Sequence, residues 1–157
     1  VSKQTVKKDT VVVGLGNILL SDEGVGVYLI RQLLNQQDRF PKVEFIDAGS
    51  GGMNLLHIIA NRKKALIIDC TKMGEKPGTM RRFGPEDVQS VKKMGQFSLH
   101  EADILRVIKL SEQLGECPGE IVFFGIEPES LEPGEELSKT LSAKLDAYTA
   151  EIRKELV

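Results

Sequence analysis

Apolar runs of strand length recur along the chain, and most are followed by a stretch with helical spacing. The runs cover residues 11–14, 43–46, 65–69 and 121–126. Residues 11–14 and 65–68 are apolar without alternation, the pattern of strands buried on both faces of a parallel sheet. After the first run Val25, Leu29 and Leu33 recur at helical spacing, so a helix is expected over residues 22–35. Further helices are expected over 53–61, 98–114 and 138–156, the last with Leu141, Leu145, Tyr148 and Ile152 on one stripe. The 65–69 run is apolar almost throughout and is expected at the centre of the sheet. Residues 79–83, behind a loop with Gly74, Pro77 and Gly78, are expected as a strand near an edge. Strand and helix in alternation predict an α/β fold with a largely parallel sheet covered on both faces.

The length, 157 residues, suits one domain spanning 1–157. Lysine and arginine number 21 against 23 acidic residues, a net charge of −2. A nucleic-acid partner would call for a basic excess on one face, so none is expected. No apolar run approaches the roughly 20 residues needed to cross a bilayer, and no membrane insertion is expected. Residues 1–9 carry no apolar signal region, so the expected location is cytoplasmic. Cys70 and Cys117 are the only cysteines and form no Cys-x-x-Cys pair, which fits a reducing compartment.

Ligands of parallel α/β sheets bind beyond the carboxyl ends of the strands. That rule selects Asn17, Asp22 and Glu23 after the first strand, and Asp47 and Ser50 after the second. It selects Asp69, Cys70 and Thr71 after the third, and Glu127 and Glu129 after the last. His100 joins them because Ser98 and Glu101 read as a capping box, which puts it in the first turn of a helix. The helix dipole disfavours imidazolium there, and a neutral imidazole is what a metal ligand must be. Glu23, Asp69 and His100 thus form a candidate site for a divalent metal, with imidazole suiting nickel or zinc. No His-Glu-x-x-His occurs, which excludes a standard zincin.

Simpler readings stand beside these. Gly14, Gly16, Gly24 and Gly26 do not form Gly-x-Gly-x-x-Gly, and a tight strand-to-helix turn with close helix packing is preferred over dinucleotide binding. Asp22 reads as an N-cap, and Asp47 as an acceptor for the glycine-rich turn behind it. His57 reads as a packed core or interface histidine, and Cys70 as a small buried residue. Ser50, Asp69 and His100 also follow the chain order of an α/β-hydrolase triad, although Ala48 stands where the nucleophile elbow has its first glycine.

The block Gly14-x-Gly16-Asn17-Ile18-Leu19-Leu20-Ser21-Asp22-Glu23-Gly24-Val25-Gly26 resembles the N-terminal signature of nickel–iron hydrogenase maturation endopeptidases. Asp47-Ala48-Gly49-Ser50-x-Gly52, Ile67-Ile68-Asp69-Cys70, Pro77-Gly78-Thr79 and Ser98-Leu99-His100 resemble the family's next blocks, in family order. Gly125-Ile126-Glu127-Pro128-Glu129-Ser130-Leu131-Glu132 resembles its last. The resemblance implies a three-layer α/β/α sandwich with a twisted, mostly parallel sheet of about five strands. It implies an endopeptidase that removes the C-terminal extension of the hydrogenase large-subunit precursor after nickel insertion. Glu23, Asp69 and His100 would be the metal-binding and catalytic residues, with nickel supplied by the substrate as the recognition element. Asp47, Gly49 and Ser50 would serve substrate recognition. The sequence departs from the family after the histidine: Asp103 comes sooner than the family's aspartate, so its role does not carry over.

Two readings from other classes stand besides the serine hydrolase. A non-cleaving factor that binds nickel and the precursor would keep the same three residues. A peptidyl-tRNA hydrolase also opens with Gly-Leu-Gly-Asn, but its Pro-Gly continuation and Thr-Arg-His-Asn block are missing.

Overall fold

The computed structural model describes residues 7–87 and 99–156, the side chains of residues 99–103 excepted. Five strands, β1 (Thr10–Gly14), β2 (Val43–Asp47), β3 (Lys64–Cys70), β4 (Met80–Phe83) and β5 (Glu120–Ile126), form one sheet in the order β2-β1-β3-β5-β4. All neighbours pair in parallel except β4, which runs antiparallel to β5 at an edge. The expected centre and the expected edge strand are both where the sequence put them.

Side chains alternate across each strand, and here both faces are covered. Val12, Leu66, Ile68, Val122 and Phe124 pack on one face with α1 (Val25–Leu34) and the C-terminal helices. Val11, Val13, Ala65, Ile67 and Phe123 pack on the other with α2 (Asn54–Ile59) and α3 (Leu99–Gln113). Three layers result, and double burial is why the strands read as unbroken apolar runs.

Two elements differ from expectation. The first helix opens with a tight 3₁₀ turn, Ser21–Gly24, before α1 begins. The single closing helix is two, α4 (Lys139–Ser142) and α5 (Leu145–Lys154). Between them the Lys144 N–H bonds the Leu141 carbonyl three residues back, tightening the chain with Lys144 at φ −105°. The stripe survives the break: Leu141, Tyr148 and Ile152 are buried in one cluster with Leu145 against it.

The order β2-β1-β3 means the chain leaves β1 in one direction and returns from β2 on its other side. Connections diverging in this way open a crevice at the carboxyl ends of β1 and β3.

Candidate active site

The loop after β1 is drawn into that crevice. Leu15 N–H donates to the Ile68 carbonyl at 2.9 Å, and Gly16 N–H to the Gly49 carbonyl at 2.7 Å. Gly16 sits at φ 143°, and a Cβ there would lie 1.9 Å from the Glu23 carbonyl oxygen. A Cβ on Gly26 would lie 2.5 Å from the Leu15 carbonyl oxygen and 2.6 Å from that of Ile68. Only backbones without side chains approach so closely. The glycines therefore make the tight turn and close helix packing expected of them, and the Ser21–Gly24 turn packs against β3 as a result.

Glu23, half-buried, is carried by that turn, and Asp69, 5% exposed, lies near the end of β3. Ala65 and Ile67 face the α2–α3 layer, so strand alternation turns Asp69 to the same layer. α3 ends near the amino edge of the sheet, where Asn61 N–H donates to the Glu116 carbonyl. Its 15 residues span about 22 Å at 1.5 Å each, the height of the sheet. His100, second in α3, thus begins its helix at the carboxyl edge on the side to which Asp69 turns. The His100, Glu101 and Asp103 side chains, and Ser98 with its expected cap, lie outside the described residues. Among the described residues no three His, Cys, Asp or Glu side chains form a metal-holding group.

Two carboxylates singled out by the strand-end rule have another job. Asp22 is fully buried and is not the expected N-cap, since no side chain caps the turn or α1. Its Oδ2 accepts the N–H groups of Glu129 at 2.9 Å and Ser130 at 3.0 Å, and its Oδ1 that of Ser138 at 2.7 Å. Glu127, also buried, accepts the N–H groups of Met73 at 2.7 Å and Glu75 at 2.8 Å through Oε1. Each carboxylate clamps a loop that would otherwise bury unpaired donors. Ser21, at φ 52°, adds a hydroxyl bond to the Glu132 carbonyl, and Gly134 N–H donates to the Leu19 carbonyl. The first and last sequence blocks are in this way zipped together.

Asp47 is exposed and accepts the Gly49 N–H at 2.9 Å, the local turn bond expected of it. With Gly49, exposed Ser50, Ile18, Leu19 and Arg31 it lines a groove of about 360 Å³. β1 lies between this turn and β3, which carries Asp69. Cys70 is buried as expected. His57 is not a packed histidine but exposed, because it falls on the outer side of α2 while Leu55, Leu56 and Ile59 face the core. Sequence reasoning missed Leu19 and Arg31 as groove residues; the available signal was an apolar pair, Leu19-Leu20, inside a turn.

A family model described as hydrogenase maturation protease matches residues 27–155. The hydrogenase 2 maturation protease of Escherichia coli is 36% identical over 138 residues, 86% of this chain and 82% of that protein. The hydrogenase expression/formation protein HoxM of Cupriavidus necator is 33% identical over 137 residues, 87% of this chain and 68% of that protein. Among solved structures, the hydrogenase maturating endopeptidase HybD from E. coli superposes with a TM-score of 0.82 at 33% identity, covering 94% of this chain and 91% of that one.

Proposed function

The chain belongs to the hydrogenase maturation protease family and is an endopeptidase; from that premise we propose that it removes the C-terminal extension of a nickel–iron hydrogenase large-subunit precursor once nickel is in place. The observation that supports this reading is the packing of the Ser21–Gly24 turn, which carries Glu23, against β3, which carries Asp69. Two carboxylates there, with His100 at the start of α3, supply oxygen and nitrogen donors suited to a borderline divalent ion. In this reading the ion is the nickel of the precursor, part of the substrate, and its arrival signals that the active site is loaded. Nickel held by these residues would supply Lewis acidity toward a carbonyl or a water. A carboxylate of Glu23 or Asp69 not engaged by the metal takes the proton of the attacking water. Asp47, Gly49 and Ser50 line the neighbouring groove and recognise the substrate. The reaction takes place in the cytoplasm; no helix among the described residues is long and apolar enough to cross a membrane.

The test is incubation with nickel-loaded and nickel-free precursor, followed by intact mass. Loss of the tail from the loaded form alone is expected. Binding of loaded precursor without cutting would return the non-cleaving factor. His100→Ala is expected to abolish processing with circular dichroism unchanged; a folded variant that trims at near wild-type rate removes the histidine from the mechanism. Ser50→Ala is expected to keep cleavage within roughly tenfold, whereas loss of a triad serine costs on the order of 10⁶.

A further inference from the structure

Four large apolar side chains are exposed among the described residues: Leu19, Leu34, Met53 and Leu114. A single exposed leucine needs no explanation. Leu19 differs from an incidental one in its setting. At 56% exposure it is also a lining residue of the groove, and Ile18 beside it lines the same groove.

Its backbone is fixed on both sides. Leu19 N–H donates to Asn17 Oδ1 at 2.9 Å, and its carbonyl accepts the Gly134 N–H at 2.9 Å. Two and three residues further on stand Ser21, in the left-handed region, and the buried Asp22 clamp. An apolar side chain is therefore presented to solvent from a rigid turn, the property of an interface anchor, since little further ordering is needed on binding. Met53 adds a second exposed apolar group beyond the Gly49–Gly52 turn at the same edge of the sheet.

The groove is also charged in a specific way. Arg31 is exposed, stacks its guanidinium 5.7 Å from the Tyr28 ring centroid, and forms no ion pair among the described residues. Asp47 lines the same groove, with Oδ1 held by Gly49 N–H. The guanidinium is thus oriented by its ring and open to a carboxylate, which it binds through two parallel N–H bonds.

We propose that Leu19 and Arg31 form a docking subsite for an extended segment of the precursor, an apolar side chain of which sits on Leu19 and Ile18 while a neighbouring carboxylate meets Arg31. This rests on the endopeptidase acting on that precursor. The subsite lies on the β1–β2 side of the sheet, apart from the crevice between β1 and β3. It therefore supplies affinity and register without touching the reacting bond, so its loss appears in KM and leaves kcat in place.

Nickel-free precursor is the probe for docking, because it is not consumed. Leu19→Ser is expected to weaken its binding, in a direct titration, by roughly tenfold or more, the fold-change for exposing a leucine-sized contact. Arg31→Glu is expected to weaken it as well, and Arg31→Lys less. Leu114→Ser, at the opposite edge, is the control and should bind as wild type. With nickel-loaded precursor, Leu19→Ser should raise KM by a similar factor at unchanged kcat and unchanged melting temperature. Binding by Leu19→Ser within twofold of wild type, an equal loss in Leu114→Ser, or no binding by the wild type overturns the proposal. Docking lost on Leu19→Ser while the wild type never cuts loaded precursor would retain the subsite and overturn only the cleavage reading.

Discussion

The two edges of the sheet handle their carboxylates in opposite ways. At the amino edge, acidic side chains meet cations. Asp9 pairs with Lys63 at 3.3 Å, Glu44 with Arg62 at 3.2 Å, and Glu155 with Lys64 at 2.9 Å and with Arg82. At the carboxyl edge Glu75 pairs with Arg81 at 3.1 Å, but the two buried carboxylates, Asp22 and Glu127, meet backbone N–H groups instead. Amide donors stabilise a carboxylate as a lysine would, but they bring no formal positive charge. Asp22 and Glu127 are thereby held by the main chain, with no cation spent on either. Loops are also stiffened differently. An exposed ion pair restrains two long side chains and is worth little, whereas a buried carboxylate with several amide donors fixes a stretch of main chain.

The comparison can be broken at its strongest point first. Asp22→Ala strands three part-buried N–H groups and empties a buried site, and a loss of roughly 3–4 kcal/mol in urea-unfolding stability is expected. A loss under about 1 kcal/mol would mean that water replaces the clamp freely. Glu127→Ala strands two donors, and roughly 2–3 kcal/mol is expected by the same measurement.

Tyr148→Phe comes next. The Tyr148 hydroxyl donates to the Gly78 carbonyl at 2.6 Å in the loop that Glu127 clamps, so its removal is expected to cost about 1–1.5 kcal/mol. Burial, and then the nearby Asp22 charge, pushes its hydroxyl up to about 12. Folded Tyr148 thus holds its proton more tightly than the unfolded chain, whose value is about 10. Its contribution is complete below the unfolded value and is lost as pH rises through the folded one. Alkaline unfolding between those values should be shallower in the phenylalanine variant. Glu155 gives the reverse at the amino edge: the Arg82 hydrogen bond, then Lys64, hold its carboxyl below the usual range. Its contribution is present above the ordinary carboxylate value and is lost as pH falls through the lower folded one, so Glu155→Gln should flatten the acid limb.

The smallest effect is expected for Lys63→Ala, whose partner Asp9 is exposed. A change within about 0.5 kcal/mol, shrinking further in high salt, is expected in the same urea assay. A cost equal to that of Glu127→Ala would erase the distinction between the edges.

Much of this architecture was legible in order along the chain. Doubly buried strands must be apolar throughout, so residues 65–69 announced a central strand, and the loop glycines announced a close turn because no side chain fits where main chains nearly touch. The positions of Glu23 and Asp69 at the sheet's carboxyl edge followed from the same reading, since a parallel sheet sends every strand end the same way. What the sequence could not supply was the partner of Asp22, which it read as a local cap beside the candidate site residue Glu23. Both are acidic, adjacent and in one turn, yet one is fully buried under the 129–138 loop and the other half-exposed. That difference depends on donors more than a hundred residues away, Glu129, Ser130 and Ser138. For the same reason His57 read as a core or interface histidine, of which the core alternative fails, and the closing helix as continuous: periodicity records which residues are apolar, and only the packed neighbours decide which side of a short helix is covered and where the chain must tighten to reach them. The groove between Leu19, Arg31 and Asp47 belongs wholly to tertiary structure, because its walls come from three segments that meet only once the sheet has formed.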